Sequence, residues 1–249
     1  MGVCKIFGAG ERVPESRIGK PGNGDLVIAA DGGYAWLCAL AASEKAFLPK
    51  LFIGDFDSAD AVLDSPEGTE SEPLEEAAQK AREAVVRSCE RTGTEVIELP
   101  IVKDDTDTGV CVREGLARGY RIFEIYGGTG GRWDHTLANC QLLTHIAREG
   151  GRGYLVGPTL TAFALHEGSV RIRVVKGATV SAFSAGGVVS GVTITGAKYE
   201  VNDASLADDY ALGVSNSFTA EEKTVSCKKG TLPQSGGFLF CRKKRFPLR

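Results

Sequence analysis

Leu26-Val-Ile-Ala-Ala-Asp31-Gly-Gly33, and then Leu51-Phe-Ile-Gly-Asp55-Phe-Asp57-Ser58, decide how this chain folds. Each is a short apolar run that stops at an aspartate. Runs of this length, rich in Val, Ile and Phe and closed by turn residues, read as strands buried on both faces. The same texture recurs outward in both directions. Strands are expected at 3–8, 26–30, 51–54, 95–99, 121–126 and 154–156, with helices at 34–42, 74–91, 108–118 and 135–148. Strands alternating with helices imply an α/β fold, a parallel sheet with helices on both faces.

The helix at 74–91 carries its apolar stripe on Leu74, Ala77, Ala78, Ala81, Val85 and Cys89. The polar, turn-rich stretch 65–73 before it reads as a surface loop. After residue 157 the pattern shifts to short strand-like runs at 170–175, 179–182, 187–195, 211–215, 223–227 and 237–241, separated by Gly, Asn and Asp. An all-β sandwich domain at 158–249 is therefore expected to follow an α/β domain at 1–157.

Composition narrows the partners. The 249 residues are 43% hydrophobic and 24% charged, enough for a sizeable core. A net charge of −3 gives no basic face for nucleic acid, and the basic run Arg242–Arg245 reads as an exposed tail. No apolar run is long enough to span a membrane. The opening Met-Gly-Val-Cys-Lys-Ile-Phe lacks the long apolar stretch of a secretory leader. Seven scattered cysteines, odd in number and without zinc-site spacing, fit a reducing cytoplasm.

The acidic motifs fall just past the carboxyl ends of expected strands: Asp31, Asp55 with Asp57, and the run Asp104-Asp105-Thr106-Asp107. In open parallel sheets that edge is where ligands bind. Acidic loops gathered there repel one another unless a cation lies among them, and Mg2+ prefers oxygen ligands shared with substrate phosphates. Asp55 and Asp57 fall on one side of an extended segment. A fourth loop, Gly127-Gly-Thr-Gly-Gly131-Arg132-Trp133-Asp134-His135, joins a strand to a helix. Its glycines allow close backbone approach to an anion, and Arg132 adds a planar fork for phosphate oxygens. Bland readings compete at every position. Asp-Gly-Gly is a common turn, Thr106 and Asp134 can simply cap helices, and Trp133 and His135 read better as structural residues. Taken together, the loops point to a nucleotide-phosphate and metal site that transfers phosphate.

In their order, Ala-Asp31-Gly-Gly, Gly-Asp55-Phe-Asp57-Ser58, Lys-Asp104-x-Thr106-Asp107, Gly-Gly-Arg132-x-Asp134-His135-x-Leu-x-Asn139 and Gly213-Val-Ser215-Asn216 resemble the thiamine pyrophosphokinase family. The resemblance spans nearly the whole chain. It implies transfer of a diphosphate group from ATP to the hydroxyethyl oxygen of thiamine, with Mg2+, in a homodimer. It further implies Asp55, Asp57 and Asp107 as metal ligands, and Asp31, Asp55, Thr106, Arg132 and Asp134 as ATP-binding residues. Asp107, Ser215 and Asn216 would bind thiamine, and Asp57, Asp107 and Arg132 would be catalytic. Gly109 and Ser217 depart from the pattern, since the family often has Glu at both places. Two rivals remain at this stage. A haloacid-dehalogenase-like phosphohydrolase would use Asp55 as nucleophile, and a non-catalytic module would only bind nucleotide or thiamine.

Overall fold

The computed structural model describes residues 2–56, 74–172, 178–220, 223–228 and 236–242, with side chains described except at 74–77 and 236–242. Asp57, Ser58, the stretch 65–73 and the basic tail past Arg242 lie outside the described residues. Two compact units make up the chain: Met1–Arg12 with Lys20–Gly131, and Val13–Gly19 with Arg132–Arg249.

The first unit holds β1 (Cys4–Phe7), β2 (Leu26–Ala30), α1 (Gly33–Ser43), β3 (Leu51–Gly54), α2 (Leu74–Thr92), β4 (Glu95–Glu98), α3 (Asp107–Ala117) and β5 (Ile122–Tyr126). Its strands lie in the order β5-β1-β2-β3-β4, and β1 pairs in parallel with both β2 and β5. Right-handed crossovers put α1 and α2 on one face and α3, which returns the chain to the far side of β1, on the other. Side-chain alternation agrees. Cys4 and Phe123 are register partners and lie against Gly115 of α3. Phe7 and Tyr126, three residues further and so on the opposite face, stack on each other, and Phe7 meets Trp36 of α1 edge-on. The stripe expected on α2 buries Ala81, Val85 and Cys89.

On the α1 face the buried register pair Lys5 and Glu124 forms an ion pair, and the Tyr126 hydroxyl donates to the same Glu124 oxygen at 2.7 Å. Buried charges persist only when each is hydrogen-bonded in this way.

The second unit opens with α4 (Trp133–Arg148) and continues as strands: β6 (Arg152–Val156), β7 (Leu160–Leu165), β8 (Gly168–Ile172), β9 (Thr179–Ala185), β10 (Val189–Thr195), β11 (Val201–Leu206), β12 (Asn216–Ser217), β13 (Lys223–Cys227) and β14 (Gly236–Arg242). One layer runs β12-β9-β14-β7-β6 and the other β11-β10-β13-β8. Phe163, Val180 and Ala182 from the first layer pack with Ile172, Val192, Ile194, Leu206 and Val225 from the second, so this is the expected sandwich. Residues 211–215, expected as a strand, form a turn instead, with Leu212 and Val214 exposed.

The units divide before α4, earlier than the boundary at 157 read from the sequence, because α4 packs on β6 and β7. Gly153 makes room for it: a Cβ there would stand 2.8 Å from Ile146. Arg17 ties 13–19 to the same unit by donating to the Leu160 carbonyl and the Thr161 hydroxyl, each at 2.9 Å.

Gly33, the last residue of the Asp-Gly-Gly motif, is set by packing. A Cβ there would lie 1.8 Å from the Phe7 carbonyl oxygen, a backbone atom that cannot swing aside. Gly33→Ala is expected to destabilise the chain by about 3 kcal/mol, the upper end of ordinary overpacking. Urea unfolding would show a lower midpoint with little change in slope; an unchanged midpoint would contradict this packing of α1 on β1.

Candidate functional site

Parallel strands deliver their following residues to one edge, and three of the predicted carboxylates meet there. Asp31 follows β2, Asp55 follows β3, and Asp107 is the first residue of α3. Oxygens from Asp31, Asp55 and Asp107 all lie within 4.8 Å of one another. Local backbone sets each one. Asp31 is 7% exposed and left-handed at φ 43°, a conformation Asp tolerates better than most residues. Its N–H donates to the Ile53 carbonyl at 2.8 Å, tying the end of β2 to β3. Gly54 permits this approach, for a Cβ there would come within 2.9 Å of Asp31 atoms, backbone Cα included.

Phe56 is also left-handed, at φ 63°, where an aromatic residue is strained. Burial holds it: the ring stacks on Phe52 at 4.8 Å, and the Arg82 guanidinium of α2 lies over it, 5.5 Å from its centroid. That anchor fixes the turn that presents Asp55. Asp107 gains from its place in the first turn of α3, where the helix dipole favours negative charge. Thr106 caps this helix, its hydroxyl accepting from the Gly109 N–H at 3.0 Å.

Lys103, which the sequence reading did not single out, stands among these acids. Its ammonium pairs with Asp55 and lies 3.0 Å from Asp107. Burial works to lower its pKa, but the hydrogen bonds and charges of Asp55 and Asp107 outweigh that and hold it above its ordinary value. The available hint was its spacing, four residues before Asp107. Asp104 is exposed and outside the trio, and Asp105 pairs with Arg113.

The donor set fits a hard divalent cation. An octahedral Mg2+ with oxygens at about 2.0–2.1 Å sets adjacent ligands about 3 Å and opposite ones about 4.2 Å apart. Oxygens already within 4.8 Å reach that spacing by small side-chain rotations.

A second feature of this unit lies where the strand order reverses, between β1 and β5. The loop after β1 bonds to the glycine loop after β5: Gly10 N–H donates to the Gly127 carbonyl and Glu11 N–H to the Thr129 carbonyl, both at 2.8 Å. Gly127, Gly130 and Gly131 all have positive φ. The buried Thr129 hydroxyl makes no hydrogen bond among the described residues. Gly8-Ala-Gly10 was legible as a glycine turn after a strand and was missed. Such reversal points are where open α/β sheets place their ligands.

In the second unit, Arg132 is the N-cap residue of α4, and its guanidinium forks onto Asp134, with Nε to Oδ1 at 3.2 Å. That hydrogen bond holds the Asp134 carboxyl down at about 2. Trp133 does not pack, contrary to expectation: it is 80% exposed. The stripe that buries Cys140 and Thr144 continues back through Leu137 to Trp133, but its first turn is left uncovered. His135 is exposed too, while Asn139 is buried.

Ser215 is left-handed at φ 61°, and its N–H donates to the Ser181 hydroxyl. Asn216 is buried and clamps the backbone of Tyr199, accepting from its N–H at 3.1 Å and donating to its carbonyl at 2.6 Å.

Fold and site together describe an α/β enzyme with carboxylates gathered at the carboxyl edge of its parallel sheet and a β-sandwich on the same chain. The chain belongs to the thiamin pyrophosphokinase family. The model of the thiamin pyrophosphokinase catalytic domain matches residues 22–155, and that of the vitamin B1 binding domain matches 169–232. In structure it is similar to the thiamine pyrophosphokinase of Bacillus subtilis, at 22% identity and TM-score 0.72, over 98% of this chain and 100% of that one. The Enterococcus faecalis family protein is 23% identical with TM-score 0.67, over 98% and 100%. The Candida albicans enzyme is 14% identical with TM-score 0.68, over 97% and 90%. At these identities the likeness is one of fold. No curated protein matches the chain at a significant level.

Thr106→Ala should cost about 1 kcal/mol, the usual value of an N-cap, whereas Thr106→Ser keeps the cap and most of the stability. Thermal melts of the two variants check this, and equal melting of both would show that the hydroxyl does not cap α3.

Proposed function

We propose that this enzyme transfers a diphosphate group from ATP to the hydroxyethyl oxygen of thiamine, giving thiamine diphosphate and AMP. One observation carries the reading: in a chain of this family, Asp31, Asp55 and Asp107 bring their oxygens within 4.8 Å at the carboxyl edge of the parallel sheet. Mg2+ is the proposed cofactor, with Asp55, Asp57 and Asp107 as its ligands. When bound, it offsets charge on the phosphates and orients them.

The remaining work falls to the chain's own side chains. Asp31 and Asp55 belong with the nucleotide. Thr106 keeps a hydroxyl proton to donate to a phosphate oxygen, since capping uses only its lone pair. Arg132 exchanges Asp134 for phosphate oxygens, with Asp134 keeping the guanidinium oriented until then. Asp107 accepts the proton that thiamine's hydroxyl gives up as its oxygen bonds to the β-phosphorus and AMP leaves. Ser215 and Asn216 serve thiamine, Asn216 by holding the left-handed turn that presents Ser215. A reducing cytoplasm is the proposed compartment, in keeping with six free cysteines among the described residues. Among those residues no helix is long and apolar enough to cross a membrane. The proposed assembly is a homodimer, supported by the exposed apolar residues Tyr199, Tyr210, Leu212 and Val214.

The test is AMP release from ATP, Mg2+ and thiamine. Wild-type protein should form AMP and thiamine diphosphate in equal amounts, only when thiamine is present. Free phosphate without thiamine would instead indicate a phosphohydrolase, and binding without products a sensor. Asp55→Asn and Asp57→Asn should each lower the rate more than about 100-fold, since even changes behind a metal's ligands cost 10–100-fold. Retained activity in either variant would remove that residue from the site.

A further inference from the structure

Lys103 pairs with two of the three carboxylates that would hold a divalent cation. Its ammonium bonds Asp55 across a long stretch of chain and pairs with Asp107 four residues on, with only 14% of the side chain exposed. A metal ion held by those same oxygens would stand within about 5 Å of the ammonium, given the usual lengths of coordination and hydrogen bonds. Two cations that close repel strongly with so little solvent between them. One must move, and the lysine has the flexible stem to do it. Nucleotide phosphates would bring a matching anionic partner to the same edge of the sheet.

We propose that Lys103 is a positioning residue that competes with the metal for Asp55 and Asp107, so that metal enters the trio tightly only when nucleotide phosphates take over the ammonium. This rests on the metal–nucleotide reading above. By this account Lys103 links the two ligands. Its ion pairs keep the carboxylates gathered beforehand and set a toll on metal binding alone. Linkage then requires that each ligand tighten the other by the same factor.

The experiment titrates Mn2+ into wild-type protein, Lys103→Met and Lys103→Gln by calorimetry. It is run with and without a saturating α,β-methylene analogue of ATP and corrected for chelation by the analogue itself. In the wild type the analogue should tighten Mn2+ by at least about tenfold, an ordinary size for coupling between sites. Both variants should bind Mn2+ alone about tenfold more tightly than wild type and lose most of that coupling. Without metal they should also melt at lower temperature than wild type, and Mn2+ should restore them. Removing a mere surface ion pair would give neither the tighter binding nor the metal-dependent rescue. Equal Mn2+ affinity and equal coupling in all three proteins would overturn the role of Lys103 and leave the metal–nucleotide reading standing. No Mn2+ binding by wild type even with the analogue would overturn both.

Discussion

Parallel strands share a carboxyl edge, so whatever follows each strand is delivered to one rim of the sheet. In the first unit that rule brings Asp31, Asp55 and Asp107 together, and with them a problem of like charge. Two such charges about 4 Å apart repel by about 4 kcal/mol at the effective dielectric near a protein surface. A folded domain is stable by only about 5–15 kcal/mol in total. A rim of this kind therefore needs positive charge, and Lys103 supplies it from the loop that leads into α3. The dipole of α3 adds a smaller contribution at Asp107. The proposed binding chemistry and the stability of the fold thus draw on the same few ångströms.

Presenting side chains at turns has a backbone cost in each unit, visible in the residues with positive φ. Asp31, Phe56 and Ser215 are non-glycine residues in the left-handed region, and each lies in or beside a motif that stood out in the sequence. Such conformations cost of order 1–3 kcal/mol and survive only where the surroundings enforce them. Here the enforcement is specific. The Ile53 carbonyl holds Asp31, Phe52 and Arg82 both pack on the Phe56 ring, and the Asn216 clamp on Tyr199 sits next to Ser215. The strain is spent on presenting side chains at turns.

How much of this was legible depended on whether the cause was local. Apolar runs ending in aspartate gave the parallel strands and their rim, because strand burial and the shared edge follow from local pattern and topology. The pairing of Lys103 with Asp55 did not show, since no local rule joins residues so far apart in sequence. In the second unit, β11 was missed because Val201-Asn-Asp-Ala-Ser-Leu206 lies at a sheet edge, where polar side chains are tolerated. Residues 211–215 erred the other way. Their apolar side chains look like a strand, yet Leu212 and Val214 are exposed, and Gly213 presses its backbone against the Ala182 carbonyl. Trp133, expected to pack and lying ahead of the helix expected at 135–148, instead opens α4 and is exposed.

Gly109 shows how a departure from a motif can be absorbed. By the resemblance the family often carries Glu there, and one acid fewer at the start of α3 leaves less negative charge at the rim. In this chain a Cβ at Gly109 would lie 2.2 Å from a carboxylate oxygen of Asp105. The space a side chain at 109 would occupy is already filled by a carboxylate arriving from four residues earlier. Asp105 also accepts from the Thr106 N–H at 2.7 Å and pairs with Arg113 one helical turn beyond Gly109, so it is held in that position from both sides. The helix start keeps negative charge from Asp105 and Asp107, and its cap from Thr106. Glycine at 109 leaves room for Asp105 in this position, and the two positions should be read as one unit.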